Sequence, residues 1–250
     1  TNHKFLIVVH RDPDLDAIGS ALAFSMQLCH LGIENKIWVA DKLSPEMSFL
    51  PGIDTVVSVY PDDYDYTVIL ALDCANFERI HSHQKLNRSV NLINIDHHVD
   101  NTSFGDINLY EKRSSVGELL TFLFRNLGWV IDKDMATALY AAIAFDTGQF
   151  KFSNTTKETF EAVQYLLAAN IDVNWISSQM HDQKSEDYLA MLKLALDNII
   201  IRPHYISVAI PKTSLDYGSE INNIIRKIKG KTVVLVFREL SDNWVKISLR

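Results

Sequence analysis

Apolar residues run in short blocks along the first hundred positions, and each block closes on polar or acidic residues. Phe5-Leu-Ile-Val-Val9, between Lys4 and His10, is one such block and predicts a buried strand. Ala17 to Leu31 then carries apolar residues at helical spacing. Lys36 to Ala40, Thr55 to Val59, Thr67 to Leu72 and Val90 to Ile95 predict further buried strands, separated by polar or helical segments. This alternation specifies an α/β fold with a mostly parallel sheet flanked by helices.

Beyond residue 115 the period becomes helical. Gly117 to Asn126 and Asp134 to Phe145 predict two helices, with Ser115-Val-Gly-Glu118 as a capping-box pattern opening the first. Thr156 to Ala169 and Trp175 to Gln183 continue the α-rich region, and Ser185 to Asn198 is amphipathic. Ile199 to Ile210, Lys231 to Phe237 and Trp244 to Leu249 predict strands around a helix over Glu220 to Ile228. The expected division is a first domain over 1–182, a connecting helix over 183–198, and a second, smaller α+β domain over 199–250. That last domain stops at Arg250 with no closing element and reads as truncated.

Composition narrows the classes. With 250 residues, 47% hydrophobic and 22% charged, the chain can bury a substantial core, which excludes disorder, collagen and coiled coil. The balance of 24 Lys+Arg against 31 Asp+Glu gives −7, so the surface does not attract polyanions and no long nucleic-acid track is expected. A phosphate substrate would then need a local basic cluster or bound cations. Two cysteines, Cys29 and Cys74, cannot supply a disulfide framework, so a cytoplasmic location is expected. No apolar run approaches the ~18 residues of a membrane span, so no membrane partner is expected.

His10-Arg-Asp-Pro-Asp14-Leu-Asp16 places one imidazole and three carboxylates in a loop directly after a buried strand. Carboxylates so close repel unless a cation compensates, and loops at the carboxyl ends of parallel strands are where α/β folds bind ligands. Asp73 follows Val68-Ile-Leu-Ala-Leu72, and Asp96-His97-His98 follows Leu92-Ile-Asn-Ile95, so acids and imidazoles reach the same sheet edge. Asp146 closes an apolar helix at the end where the macrodipole disfavours an anion. Taken singly, each has a plain structural reading as a turn, a cap or a core histidine. Together His10, Asp14, Asp16, Asp73, His97 and Asp146 are six oxygen and nitrogen donors without a thiolate, which suits manganese or a similar divalent ion better than structural zinc. Two ions sharing a carboxylate would use them all.

These motifs resemble the DHH phosphoesterase superfamily, and all four of its motifs occur in order. They are His10 to Asp16 with Gly19-Ser20, Asp73-Cys-Ala, Asp96-His97-His98-Val-Asp-Asn101, and Asp146-Thr-Gly-Gln-Phe150 followed by Ser153-Asn-Thr-Thr156. The resemblance implies that His10, Asp14 and Asp73 hold one metal and that Asp16, Asp73, His97 and Asp146 hold the other, Asp73 bridging. It further implies a hydroxide generated by the metal pair that attacks phosphorus in line, with a protonated His98 steadying charge on the phosphoryl oxygens.

Val234-Leu-Val-Phe-Arg238 and Val245-Lys-Ile-Ser-Leu-Arg250 resemble the opening half of the DHH-associated domain of the nanoRNase and adenosine 3′,5′-bisphosphate phosphatase branch. That resemblance implies Arg250 as a phosphate contact, with a Gly-Gly-Gly-His segment expected beyond it. The substrate implied is a short oligoribonucleotide or a small nucleotide such as adenosine bisphosphate or di-AMP. A second copy of the chain is the protein partner left open. A manganese pyrophosphatase is the runner-up, set back by the missing C-terminal Ser-Arg-Lys cluster, and a non-catalytic nucleotide- or metal-binding module is the remaining alternative. Arg113, Ser114 and Ser115 either line the site at a helix N-terminus or simply cap that helix. Asn101 is a further substrate-site candidate and also a candidate to orient the loop from Asp96 to His98. Phe150 and Phe152 either stack a base or fill core.

Overall fold

The computed structural model describes residues 3–181, 186–211, 218–225, 227–230, 233–241 and 244–249. They belong to two compact units, Thr1–Asp182 and Gln183–Arg250. The first contains β1 (Phe5–Val8), α1 (Leu15–His30), β2 (Asn35–Trp38), β3 (Val56–Val57), β4 (Val68–Leu72), β5 (Asn91–Asp96) and β6 (Ile107–Tyr110). It continues with α2 (Val116–Asn126), α3 (Lys133–Asp146), α4 (Lys157–Leu167) and α5 (Val173–His181).

The sheet order is β3-β2-β1-β4-β5-β6, and every pairing in it is parallel. The chain winds outward from β1 to β3, then returns to lay β4 against the other side of β1. Strand order therefore reverses between β1 and β4, which opens a crevice at their carboxyl ends. One face of the sheet sends Ile7, Ile37, Leu70, Leu72 and Ile95 into a core with residues of α1 to α5. The alternate residues Leu6, Val8, Trp38, Ile69 and Leu92 pack beneath Tyr64, Tyr66, Ile80 and Leu86, which come from irregular segments with single 3-10 turns.

Two glycines let the helices on the first face close up. A Cβ on Gly19 of α1 would lie 2.5 Å from the Ala138 carbonyl oxygen, and one on Gly117 of α2 would lie 2.7 Å from the Ala142 Cβ. Both helices thus approach α3 at near-backbone distance. That packing draws the first turns of α1 and α2 toward the last turn of α3.

Some expectations change in detail. β6 has no counterpart in the sequence reading, because Ile107–Tyr110 lies at a sheet edge with mostly exposed side chains and carries no buried apolar block. The strand expected over Thr55 to Val59 shrinks to two residues behind a 3-10 turn at Ile53–Thr55. Ser115 does cap α2 by accepting from the Glu118 amide at 3.0 Å, but Glu118 sends its carboxylate to Ser114, so the reciprocal half of the capping box is absent.

The second unit has α6 (Glu186–Asp197), β7 (Ile199–Ile201), β8 (Tyr205–Ile210), α7 (Gly218–Ile225), β9 (Val233–Ser241) and β10 (Trp244–Leu249). Its mixed sheet runs β10-β9-β8-β7, parallel between β8 and β9 and antiparallel elsewhere. The single strand region expected over Ile199 to Ile210 is a hairpin, broken around Pro203 where no amide is available for a ladder. The helix expected to connect the domains packs Met191 and Ala195 into this unit's own core, against Ile206, Val208, Ile221 and Val234.

Candidate metal centre

β1 delivers His10 and the loop leading to α1. Asp14 is the N-cap of α1: its Oδ1 accepts from the amides of Asp16 and Ala17 at 3.0 Å each, which leaves Oδ2 facing His10. The His10 Nδ1 lies 2.7 Å from the Arg11 carbonyl oxygen, and its Nε2 lies 3.4 Å from Asp73 Oδ2. Asp73 directly follows β4 with φ +57, a left-handed conformation that aspartate tolerates better than most residues and that marks local strain at the crevice.

Asp16, fully buried in the first turn of α1, reaches across to α2. Its Oδ2 accepts from the Val116 amide at 2.7 Å and its Oδ1 from the Gly117 amide at 2.9 Å. The anion at the N-terminus of α2 is thus the chain's own carboxylate. His97 follows β5 with Nδ1 at 3.2 Å from the Arg113 carbonyl oxygen. Its Nε2 lies 3.3 Å from Asp146 Oδ2, 3.5 Å from Asp73 Oδ1 and 3.8 Å from Asp16 Oδ2. Asp146 is the last residue of α3.

The six donors therefore meet at one place. One ligand atom from each of His10, Asp14 and Asp73 lies within 4.8 Å of the others, and the same holds for Asp16, His97 and Asp146. Asp73 places Oδ2 toward His10 and Oδ1 toward His97, so it stands between the trios. Both Asp73 Oδ1 and His97 Nε2 are buried without a hydrogen-bond partner. Such orphans at the centre of an acidic cluster fit a cation, because leaving either bare costs about 1–3 kcal/mol. The donor set agrees with that fit, since the neighbouring Cys74 turns its thiol to the Leu72 carbonyl oxygen at 3.3 Å. Either trio could hold a divalent ion.

The protonation pattern shows the same demand. Burial, reinforced by Asp16, Asp14 and Asp73, pushes Asp146 up to about 9. Burial and Asp73 push Asp16 up to about 7, and burial with Asp73 also raises Asp14. Burial alone would lower both imidazoles, but the surrounding carboxylates, Asp73 first, hold His10 at about 9 and His97 at about 10. Burial would likewise raise Asp73, yet the His10 and His97 imidazoles hold it well below the usual carboxylate range. Protons here do the neutralising that a cation would do.

His98 stands beside this cluster, its ring 4.6 Å from that of His97. Its Nδ1 lies 2.8 Å from Asp96 Oδ1, and this hydrogen bond raises the imidazole against partial burial. Asp96 is fully buried and accepts from Asn101 Nδ2 at 2.5 Å. The same amide group reaches Asn94 Oδ1 at 2.9 Å and the Cys74 carbonyl oxygen at 3.2 Å. Asn101 is committed to orienting this loop. Asp96 and Asn94 escaped the sequence reading as positioning residues, although a buried asparagine inside the apolar run Leu92-Ile-Asn-Ile95 is the signal that could have found them.

The other substrate candidates are also engaged internally. Arg113 pairs with Glu111 at 2.8 Å and Glu118 at 3.4 Å, Ser114 Oγ donates to Glu118 Oε2 at 2.5 Å, and Ser115 caps α2. Phe150 stacks on Phe160 with ring centroids 5.6 Å apart and packs on the helical core, while Phe152 is half exposed. Arg250 lies outside the described residues.

The model of the DHH family, N-terminal domain, matches residues 4–143. The chain belongs to the DHH family. This DHH chain is 32% identical over 194 residues to the bifunctional oligoribonuclease and PAP phosphatase NrnA of Bacillus subtilis, a match covering 75% of the chain and 59% of that relative. It is 29% identical over 261 residues to the protein of the same description from Thermus thermophilus, covering 98% of the chain and 75% of the relative. Among solved structures, an exopolyphosphatase-related protein from Bacteroides fragilis superposes with a TM-score of 0.90 at 25% identity, covering 100% of this chain and 79% of that one. The DHH chain therefore spans less than two thirds of its Bacillus relative's length.

Proposed function

We propose that this DHH chain is a metal-dependent phosphoesterase that hydrolyses short RNA oligonucleotides or small nucleotides such as adenosine bisphosphate or di-AMP. The observation that carries this reading is the buried pair Asp73 Oδ1 and His97 Nε2, each within ion-pair distance of its neighbours but without a hydrogen bond, where the donor groups meet. The substrate class rests on the names of relatives from Bacillus subtilis and Thermus thermophilus. In this reading His10, Asp14 and Asp73 hold one divalent cation, while Asp16, Asp73, His97 and Asp146 hold the other. Manganese fits their oxygen and nitrogen donors. Bound there, the cation pair would lower the pKa of a water molecule and polarise a phosphoryl oxygen.

The protein's own groups supply orientation and charge. Hydrogen bonds from Val116 and Gly117 fix the Asp16 carboxylate, and the Arg113 carbonyl fixes the His97 tautomer so that Nε2 faces the centre. With Nδ1 of His98 donated to Asp96, the Nε2 edge is the one left for substrate, and a protonated ring there stabilises charge developing on a phosphoryl oxygen. Residues 1–182 act as the DHH metal domain. The chain over 183–198 leads to residues 199–250, which act in substrate binding, with Arg250 as a phosphate contact. The enzyme works in the cytoplasm, where Cys29 and Cys74 stay reduced.

The test is manganese-dependent hydrolysis of di- to pentanucleotide RNA, adenosine bisphosphate, cyclic di-AMP and pyrophosphate. Cleavage of a nucleotide is expected. Cleavage of pyrophosphate alone would replace this reading with a pyrophosphatase, and silence with manganese bound would leave a binding module.

A further inference from the structure

We propose that Glu118 is a positioning residue for one of the two cation positions and not for the other; this rests on the two-cation reading above. Glu118 is a buried carboxylate, 1% exposed, in the first turn of α2. Its Oε2 accepts from the Ser114 amide at 3.3 Å, Ser114 Oγ at 2.5 Å and Thr159 Oγ1 at 2.8 Å, while Oε1 accepts from Arg113 Nη1 at 3.4 Å. These bonds fold residues 113–115 back over the start of α2 and staple the turn to α4. A buried carboxylate with this many donors is held in one orientation, and hydrogen bonds to a charged acceptor are each worth about 1.5–3 kcal/mol.

What the turn then presents is selective. The Arg113 carbonyl oxygen meets His97 Nδ1 at 3.2 Å. The amides of Val116 and Gly117 hold Asp16. The Ser114 carbonyl accepts from Asn154 Nδ2 at 3.0 Å, and the same Asn154 amide reaches the Asp146 carbonyl at 3.0 Å, tying down the end of α3. One turn thus serves His97, Asp16 and Asp146, which are the members of one donor trio. Its counterpart takes none of these hydrogen bonds from that turn, although the Asp16 amide is one of the two that hold Asp14. His10 and Asp14 are held by the Arg11 carbonyl and the α1 cap, and the loop is anchored by the Arg11 amide on the Arg79 carbonyl oxygen at 2.7 Å. Two cation positions that share Asp73 therefore have supports that can be loosened one at a time.

The experiment is manganese titration of the chelator-stripped chain by calorimetry and by electron paramagnetic resonance, for the wild type, Glu118→Gln and Asn154→Ala. Gln keeps the shape of the side chain but puts an NH2 where an acceptor was, facing either Ser114 and Thr159 or the Arg113 guanidinium, and Ala removes the Asn154 bridge between the Ser114 and Asp146 carbonyls. Wild type is expected to bind two ions and to show the signal of a coupled pair. In both variants one ion keeps its affinity, the other weakens about 10- to 100-fold, and the coupled signal gives way to that of an isolated ion. Equal weakening of both ions, or no change in either, in variants that melt cooperatively would overturn the proposal. Uptake of fewer than two ions by the wild type would sink the two-cation reading itself, a result seen before any variant is compared.

Discussion

Asp73 and His98 lie 3.4 Å apart, yet their surroundings separate their tasks. Asp73 has one carboxylate oxygen toward each donor trio, whereas His98 is tied to Asp96 and is partly open to solvent. Asp73→Asn keeps the left-handed backbone accessible and removes the charge, so both cations should be lost and hydrolysis abolished; atomic absorption on the dialysed variant checks this. His98→Ala should retain full metal content while kcat falls about 10²- to 10³-fold, about 2.7–4 kcal/mol of barrier. The metal-free chain should also report its trapped protons. His10 and His97 titrate near 9 and 10 when folded, so the stability they add is complete below about pH 6.5 and is lost as pH rises through those values. Asp146, raised to about 9, acts in the same direction because the unfolded carboxyl has already released its proton. Melting temperature in chelator should therefore fall from pH 7 to pH 9, each extra native proton costing about 1.4 kcal/mol per pH unit, and manganese should flatten the slope. A rise in chelator would contradict the proton pattern. That His10, Asp14, Asp16, Asp73, His97 and Asp146 come together was legible because each lies in a loop or turn after an apolar block or closes an apolar helix. Glu118 was not, since in sequence it is indistinguishable from the closing glutamate of a capping box, and its partners lie four residues back and forty-one ahead.

At the scale of elements, the site depends on how closely three helices meet. Gly19→Ala would drive a Cβ into the Ala138 carbonyl oxygen, a backbone atom that cannot swing aside. Overpacking of this kind costs about 1–3 kcal/mol, or roughly 2–4 °C of melting temperature for each kcal/mol in a domain of this size. Because α1 and α3 carry Asp16 and Asp146, the same variant should weaken metal binding, and a variant with unchanged melting and metal affinity would show that the helices can part freely. Strands β1, β2, β4 and β5 were readable from buried apolar blocks. β6 was not, because an exposed edge strand such as Ile107–Tyr110 has no such block, and the hairpin of β7 and β8 was hidden inside one continuous β-rich stretch.

For the whole molecule, net charge and site chemistry pull in opposite directions. A chain of −7 repels polyanions, and the cluster of Asp14, Asp16, Asp73 and Asp146 is where the substrate phosphate is proposed to bind. Divalent cations resolve that conflict locally. Manganese at 100 times its dissociation constant should add about 2.7 kcal/mol for each site, read as a rise in melting temperature that magnesium-free chelator reverses. No shift would remove the cations from the account. Fold class was readable from alternation alone, but the placing of helices on one face of the sheet and irregular segments on the other was not, because both kinds of cover bury the same apolar strand residues.

The carboxylate of Asp16 finds its amide partners one hundred residues further along the chain. Closing so long a loop carries an entropic cost that local contacts do not. During synthesis from the N-terminus, His10, Asp14 and Asp73 have all left the ribosome well before Val116. A nascent chain halted near residue 110 would hold one donor trio complete in sequence and Asp16 with no helix to receive it, so the two halves of the centre have different birthdays.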